Sequence, residues 1–302
     1  LLNEGFSCEN TMLNYVPSYT AIGHSTIYTG SVPSIHGIAG NDFTVQATGQ
    51  SLYCTQDDNV QSVGTADKNA KAGKMSPFNL KATTITDELK LATNFRSKVI
   101  GVSIKDRGSI LPAGHSADAA YWFDGESGNW ISSTWYMQQL PKWLVDFNNK
   151  KQAQKYLEQD WNTLYPIDTY VQSTKDDNVY EDTYKGVDKV TFPILTSKLI
   201  KDNTLGLIRS TPYGNTLTLD VAKLALENEK LGSHNVTDFL AISLSSTDYV
   251  GHQFSPNSVK TEDTYLRLDK DLSDFFYFLD LKVGKGNYVG PGATRAVEVV
   301  HV

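Results

Sequence analysis

The sequence predicts an α/β fold, a mostly parallel sheet flanked by helices and carrying an inserted aromatic-rich cap. Two observations predict it. Three segments read as a helix leading into a short apolar strand, the alternation of a parallel sheet covered by helices. All five tryptophans fall in one stretch where that alternation stops. At 302 residues, 40% of them hydrophobic, the chain is long enough for one large core with an insertion.

The first unit runs from Thr84 to Thr93, where Thr84 is a helix cap with Asp87 three residues on, and continues into the apolar run Lys98 to Ile104. The second runs from Asn215 to Leu231. It carries Leu217, Val221, Leu224, Ala225 and Leu231 near helical spacing, stops at Gly232, and precedes the strand Phe239 to Leu244. The third spans about Thr261 to Leu281, with Tyr265, Leu268, Leu272, Phe275, Phe276 and Leu279 on one stripe, and leads into a strand starting at Asn287-Tyr288-Val289.

These units place the α/β core at 1–119 and 215–289. The segment 120–214, with Trp122, Trp130, Trp135, Trp143 and Trp161, is the inserted cap, expected over the sheet's carboxyl edge where open α/β sheets bind ligands. An ordinary packed excursion is the plainer reading of the same residues. Residues 290–302 form an atypical tail where a core strand should continue.

Acidic residues outnumber basic ones 34 to 27, for a net charge of -7, and no Lys/Arg-rich run is present, which argues against a nucleic-acid partner. The apolar runs fall far short of the roughly 20 residues of a membrane helix. No signal peptide is visible from Leu1 to Phe6, and the sequence reads as if it began inside a domain. Cys8 and Cys54 read equally as a disulfide or as two thiols. The 16 tyrosines and the Thr/Ser/Asn-rich turns lean toward an exported, periplasmic or secreted protein.

Four places carry residues suited to chemistry. Thr20 stands near the start of a short helix that ends at Gly30, where unpaired backbone N–H groups and the helix dipole suit an alkoxide or a phosphate. The plain alternative is a Thr that merely caps the helix, worth roughly 1 kcal/mol. Asp248 and His252 are four residues apart just after a strand, so a helical turn puts both on one face as a pair of metal ligands. They also read as a solvated Asp and a loop His. Lys105 and Arg107 follow the strand ending at Ile104 and suit the oxygens of a phosphoryl group, although such a triplet is often only an exposed loop. Asn41 is an amide donor, or simply a turn residue.

Taken together, Tyr19-Thr20-Ala21-Ile22-Gly23-His24, the run Thr29 to Ile38 and Gly40-Asn41-Asp42 resemble the nucleophile region of the type I phosphodiesterase/nucleotide pyrophosphatase family, within the alkaline phosphatase superfamily. Lys105-Asp106-Arg107-Gly108, Leu111 to His115 and Ser246 to His252 narrow the likeness to PafA-type alkaline phosphatases, over about residues 1–289. The resemblance implies a secreted phosphate monoester hydrolase with two zinc ions, acting on small-molecule phosphate esters through a phosphothreonine at Thr20. It also implies Asp248 and His252 as ligands of one zinc, and Asn41, Lys105 and Arg107 as the groups that bind the phosphoryl oxygens.

Against that pattern, the sequence shows no Asp ligand on a strand before its first residues and no Asp-His-Gly motif after Val289. The chain therefore reads as a piece of a longer reading frame, retaining Thr20, Asp248 and His252 of the metal site. His301 in the tail is not read as a substitute ligand. Two other functions fit parts of the sequence: a phosphodiesterase or nucleotide pyrophosphatase, which needs neither Lys105 nor Arg107, and a non-catalytic secreted binding module built on the aromatic cap. A sulfatase is disfavoured because the Cys/Ser-x-Pro-x-Arg signature is missing around Cys8, Ser18 and Cys54.

Overall fold

Strand β4 (Val99–Ser103), in the computed structural model of the chain, sits at the middle of a six-stranded sheet. The structure describes Cys8, Asn10, residues 12–290 and the backbone of Glu298–His301. Before β4 come helices α1 (Thr20–Thr29) and α2 (Pro33–His36), a hairpin of β1 (Asp42–Val45) and β2 (Gln50–Tyr53), the two-residue β3 (Ser62–Val63), and α3 (Ile85–Ala92). After it come α4 (Asp106–Ala113), β5 (Ala119–Asp124), β6 (Asn129–Ser133), α5 (Lys142–Asn149), α6 (Gln152–Leu157), α7 (Thr196–Asn203) and α8 (Tyr213–Glu229). The chain continues through β7 (Phe239–Ser243), α9 (Ser246–Phe254), α10 (Val259–Leu279) and β8 (Glu298–His301).

The α/β class holds, with a mixed sheet. Its strand order is β3-β6-β5-β4-β7-β8. The centre is parallel as predicted, β4 pairing with β5 on one side and β7 on the other. The flanks are antiparallel because β5 and β6 form a hairpin over a four-residue turn, β3 runs back along β6, and β8 runs back along β7.

Both faces of the central strands are buried, which is why they read as continuous apolar runs rather than alternating ones. Ile100, Val102, Tyr121, Phe123, Leu240 and Ile242 point into the larger core with Leu217, Val221 and Ala225 of α8. Val99, Ala120, Trp122, Phe239 and Ala241 point the other way, toward α1 and α4. Gly101 lets α4 lie directly on β4, since a Cβ there would stand 2.3 Å from the Ser109 carbonyl oxygen. Gly108 likewise brings the first turn of α4 against the Ser103 and Ser243 hydroxyls at the strand ends.

The helix units form close to where the sequence places them. Thr84 caps α3 through its hydroxyl on the Asp87 amide, and Asp87 returns the bond to the Thr84 amide as a capping box. Helix α8 closes before Gly232: Lys230 itself takes the left-handed cap conformation, φ 57°. Helix α10 starts two residues early because Ser258 caps it through the Thr261 amide. Its buried stripe is Leu268, Phe275 and Leu279, with Leu272 and Phe276 packed alongside, whereas Tyr265 is exposed.

Asn287 and Tyr288 lie outside any strand, and Val289 makes only an isolated bridge. Tyr288 packs its ring on Phe276 and donates its hydroxyl to Asp280 Oδ1 at 2.9 Å. Of the atypical tail, 291–297 and 302 lie outside the described residues, and Glu298–His301 is described by its backbone alone, along β7.

The boundary drawn at 120 falls inside β5, so the first part of the aromatic segment belongs to the sheet. Trp122, Trp130 and Trp161 are each 2% exposed or less. Trp161 reaches Asp263 of α10 with its ring N–H at 2.7 Å, and Trp143 reaches Glu229 of α8 at 3.0 Å. Trp122, Trp130 and Trp161 are therefore packed in the interior, whereas Trp135 is 38% exposed.

Candidate active site

Helix α1 ends in a left-handed Gly30, φ 62°, as its sequence predicts, but its start departs from the capping reading of Thr20. The N-cap is Tyr19, whose side chain makes no capping bond, and Thr20 is the first helical residue. The acceptor is supplied from 20 residues away: Asn41 Oδ1 receives the Ala21 N–H at 3.1 Å. The Thr20 hydroxyl is thereby spared the cap and stands half-buried at the positive end of the helix. Asn41 is more than a turn residue, because its amide oxygen is committed to α1 and its NH2 group remains as a donor.

The carboxyl ends of β4 and β7 lie side by side, Ser103 opposite Ser243. Ser245 links them, with hydroxyl contacts of 3.4 Å to Ser103 and 3.2 Å to Ser243. The buried His24, one turn into α1, approaches the Ser243 hydroxyl through Nε2 at 3.5 Å, so α1 is laid against this same edge. This hydroxyl cluster escaped the sequence reading, since serines at strand ends carry no signal of their own.

From that edge Lys105 and Asp248 converge. Lys105 Nζ donates to Asp248 Oδ2 at 2.6 Å and lies 4.4 Å from the centre of the Tyr249 ring. The Lys105 side chain is 3% exposed. Burial pulls its pKa below the ordinary lysine value, opposed by the neighbouring Asp248 carboxylate. The turn after β7 is helical, as the i, i+4 pairing requires: Asp248 Oδ1 stands 3.4 Å from His252 Nε2 on one face of α9. His252 is 81% exposed and Asp248 29%, so the pair faces solvent while the lysine does not.

Arg107 donates from Nη1 to the Tyr53 hydroxyl at 2.9 Å and lies 4.0 Å from Asp106. Burial opposes its charge, but Tyr53 and Asp106 raise its pKa further. Neither Tyr53 nor Asp106 was singled out by sequence; only the position of Asp106 between two cations hinted at them.

The three clusters named from sequence thus share one edge of the sheet: Asp248 joined to both Lys105 and His252, Arg107 in the first turn of α4, and Thr20 on the helix that Asn41 caps and that packs beside α4. As possible metal ligands, Asp248 and His252 offer two donors on one face. Among the described residues, no group of three or more His, Cys, Asp or Glu side chains is placed to hold an ion. The pair fits part of one four-coordinate site and does not by itself make a two-metal centre. Cys8 and Cys54 are not bonded to each other: Cys8 is exposed and Cys54 buried. Burial raises the Cys54 pKa, so it is an inert core thiol.

Residues 1–289 match the family model for type I phosphodiesterase / nucleotide pyrophosphatase. The chain is 66% identical over 290 residues to a protein of Myroides odoratus named calcium-transporting ATPase, covering 95% of this chain and 52% of that one. It is 58% identical over 289 residues to alkaline phosphatase PhoV of Synechococcus elongatus, covering 96% of this chain and 52% of the relative. The crystal structure of wild-type alkaline phosphatase PafA superposes with a TM-score of 0.90 at 55% identity, over 95% of this chain and 55% of that one. The chain spans about half the length of the relatives it matches. On this coverage and identity, the chain belongs to the type I phosphodiesterase/nucleotide pyrophosphatase family.

Proposed function

We propose that the protein carrying this chain is a metal-dependent phosphate monoester hydrolase that uses Thr20 as its nucleophile. The observation that carries the reading is the joining of Lys105, Asp248 and His252 at the sheet edge against which the Thr20 helix is laid.

In this reading the Thr20 Oγ–phosphorus bond forms as the ester oxygen–phosphorus bond breaks, and the alcohol departs. Water then cleaves the phosphothreonine and releases inorganic phosphate. The orphan N–H groups of α1 lie beside the developing charge. The Asn41 NH2, the Lys105 ammonium and the Arg107 guanidinium hold the nonbridging oxygens, the last through two parallel N–H donors. The Lys105 and Arg107 donors, together with the positive charge a bound metal would add, favour a dianionic monoester over a monoanionic diester.

Charge balance supports a metal. Lys105 and Arg107 are offset by Asp248 and Asp106, so the cluster is close to neutral before any dianion arrives. Asp248 and His252 would hold a divalent ion such as zinc, which supplies positive charge and Lewis acidity when bound. A second zinc, as the family resemblance implies, needs donors beyond those described here. Export to the periplasm or medium belongs to the same proposal, and cell fractionation checks it.

The test is release of 4-nitrophenol from 4-nitrophenyl phosphate. We expect turnover that chelation abolishes, zinc restores and Thr20→Ala removes; turnover undiminished in Thr20→Ala overturns the assignment. The ATPase name of one 66%-identical relative favours a second reading, in which the same residues act on a phosphoanhydride. Parallel assays with ATP and with a phosphodiester decide among the three substrate classes.

A further inference from the structure

Asp106 sits between the two cations read as phosphate-binding, in Lys105-Asp106-Arg107, where a free carboxylate would repel a phosphate dianion. It is not free. Its Oδ1 accepts the Tyr53 hydroxyl at 2.9 Å and its Oδ2 accepts the Thr55 hydroxyl at 2.5 Å, and Thr55 is fully buried. Tyr53 uses its oxygen twice, donating to Asp106 and accepting from Arg107 Nη1 at 2.9 Å. The result is a chain of charge-assisted bonds, Arg107 to Tyr53 to Asp106, with Thr55 fixing the far carboxylate oxygen. Burial and the Asp106 charge raise the Tyr53 pKa, so the phenol keeps the proton it donates. Tyr53 ends β2 and Thr55 follows two residues on, so the relay ties the first turn of α4 to the hairpin.

We infer that Tyr53, backed by Asp106 and Thr55, is a positioning unit that fixes the Arg107 guanidinium for recognition of phosphoryl oxygens. The inference rests on the reading of Arg107 given above. An unheld arginine side chain gives up rotamer freedom when its guanidinium grips a ligand. Holding one Nη beforehand removes part of that cost from substrate binding and leaves the remaining N–H groups to the ligand. The Arg107 Nε has no hydrogen-bond partner among the described residues, consistent with a donor kept in reserve.

A double-mutant cycle on the protein carrying this chain tests the inference, with kcat/KM measured for 4-nitrophenyl phosphate and for a methyl 4-nitrophenyl diester. Tyr53→Phe is expected to lower the monoester value about tenfold, the scale of one hydrogen bond to a charged group. The diester value should change by less than about twofold, and in an Arg107→Ala background the Tyr53→Phe effect should likewise shrink below about twofold. Equal losses on both esters, or a tenfold loss that persists without the arginine, show that Tyr53 merely supports the fold and overturn the inference.

A second measurement does not depend on turnover. In side-chain nitrogen NMR, the Arg107 Nη resonances should be resolved by restricted rotation in the wild type and in Thr55→Ser, and merge in Tyr53→Phe. Spectra unchanged by Tyr53→Phe overturn the inference. If the resonances do merge while Arg107→Ala leaves monoester turnover intact, the phosphate-binding role of Arg107 fails and the holding of Arg107 by Tyr53 stands.

Discussion

Asp248 and Asp263 each meet a basic side chain, and they differ in what that leaves over. Asp263 of α10 is fully buried. It receives the Trp161 ring N–H at 2.7 Å, the Leu164 amide at 2.6 Å, the Tyr170 hydroxyl and Arg267 Nε at 2.7 Å. Every lone-pair direction is used, and the result locks the 161–170 segment onto α10. Asp248 meets Lys105 at 2.6 Å and His252 at 3.4 Å, is partly exposed, and keeps capacity for another ligand. Carboxylates of both kinds look alike in sequence. Saturation separates a structural acid from one able to act, because a buried charge holds only where its hydrogen bonds are complete.

The sharpest way to break the contrast is at the edge cluster itself. Thr20→Ala should reduce phosphomonoester turnover by at least about 1000-fold without shifting the melting temperature. A variant that also melts early would mean that Thr20 belongs with the structural residues. Next in size, Asp263→Ala strands Trp161, Tyr170 and Arg267 and should cost about 3 to 5 kcal/mol in denaturant unfolding, while turnover per folded molecule stays near wild type. Loss of turnover at full stability would dissolve the distinction. Asp248→Asn should weaken zinc uptake, read by calorimetry, on the order of tenfold or more, and because the amide oxygen can still accept the Lys105 ammonium the loss of stability should stay below that of Asp263→Ala.

A third carboxylate refines the comparison through pH. Asp87 accepts the Thr84 amide at 3.0 Å, the Ser116 amide at 2.8 Å and His115 Nδ1 at 3.0 Å, while His115 Nε2 reaches the Leu80 carbonyl at 3.0 Å. Burial raises the Asp87 pKa, but the His115 and backbone bonds outweigh it and pull the value to about 2. Its contribution is present above the unfolded value of 3.8 and is lost as pH falls through about 2, at most about 2 kcal/mol. The Asp87 bond raises the His115 pKa above 6.5, against burial. That contribution is complete below 6.5 and is lost as pH rises through the folded value. Melting temperature against pH should fall at both ends for the wild type, and the alkaline decline should vanish in His115→Gln.

Much of this was legible in the residues. The capping box at Thr84 and Asp87, the fully apolar strands and the helical spacing of Asp248 and His252 are local signals, and each appears where the sequence places it. The antiparallel flanks were not legible, because pairing direction depends on which strands meet and not on composition. Nor were Tyr53 and Asn41 as partners of Arg107 and α1, since both act across chain separations that periodicity does not see. The long-range ties of the tryptophans were hidden for a related reason: the ring N–H groups of Trp122, Trp143 and Trp161 reach the 3-10 turn at Ala72, α8 and α10.

The hairpin β1–β2 has a consequence of its own. Asn41 immediately precedes Asp42, Asp42 faces Tyr53 across the ladder, and the Cys54 amide closes on the Asn41 carbonyl at 2.8 Å. One open end of a single ribbon therefore grips the threonine helix with one jaw and the guanidinium with the other, like a caliper. A one-residue slip would reverse every side chain of the slipped strand and misplace both jaws together. The turn at Thr48 and Gly49 is under no such demand, so lengthening it should be tolerated where any insertion at the base should silence the site.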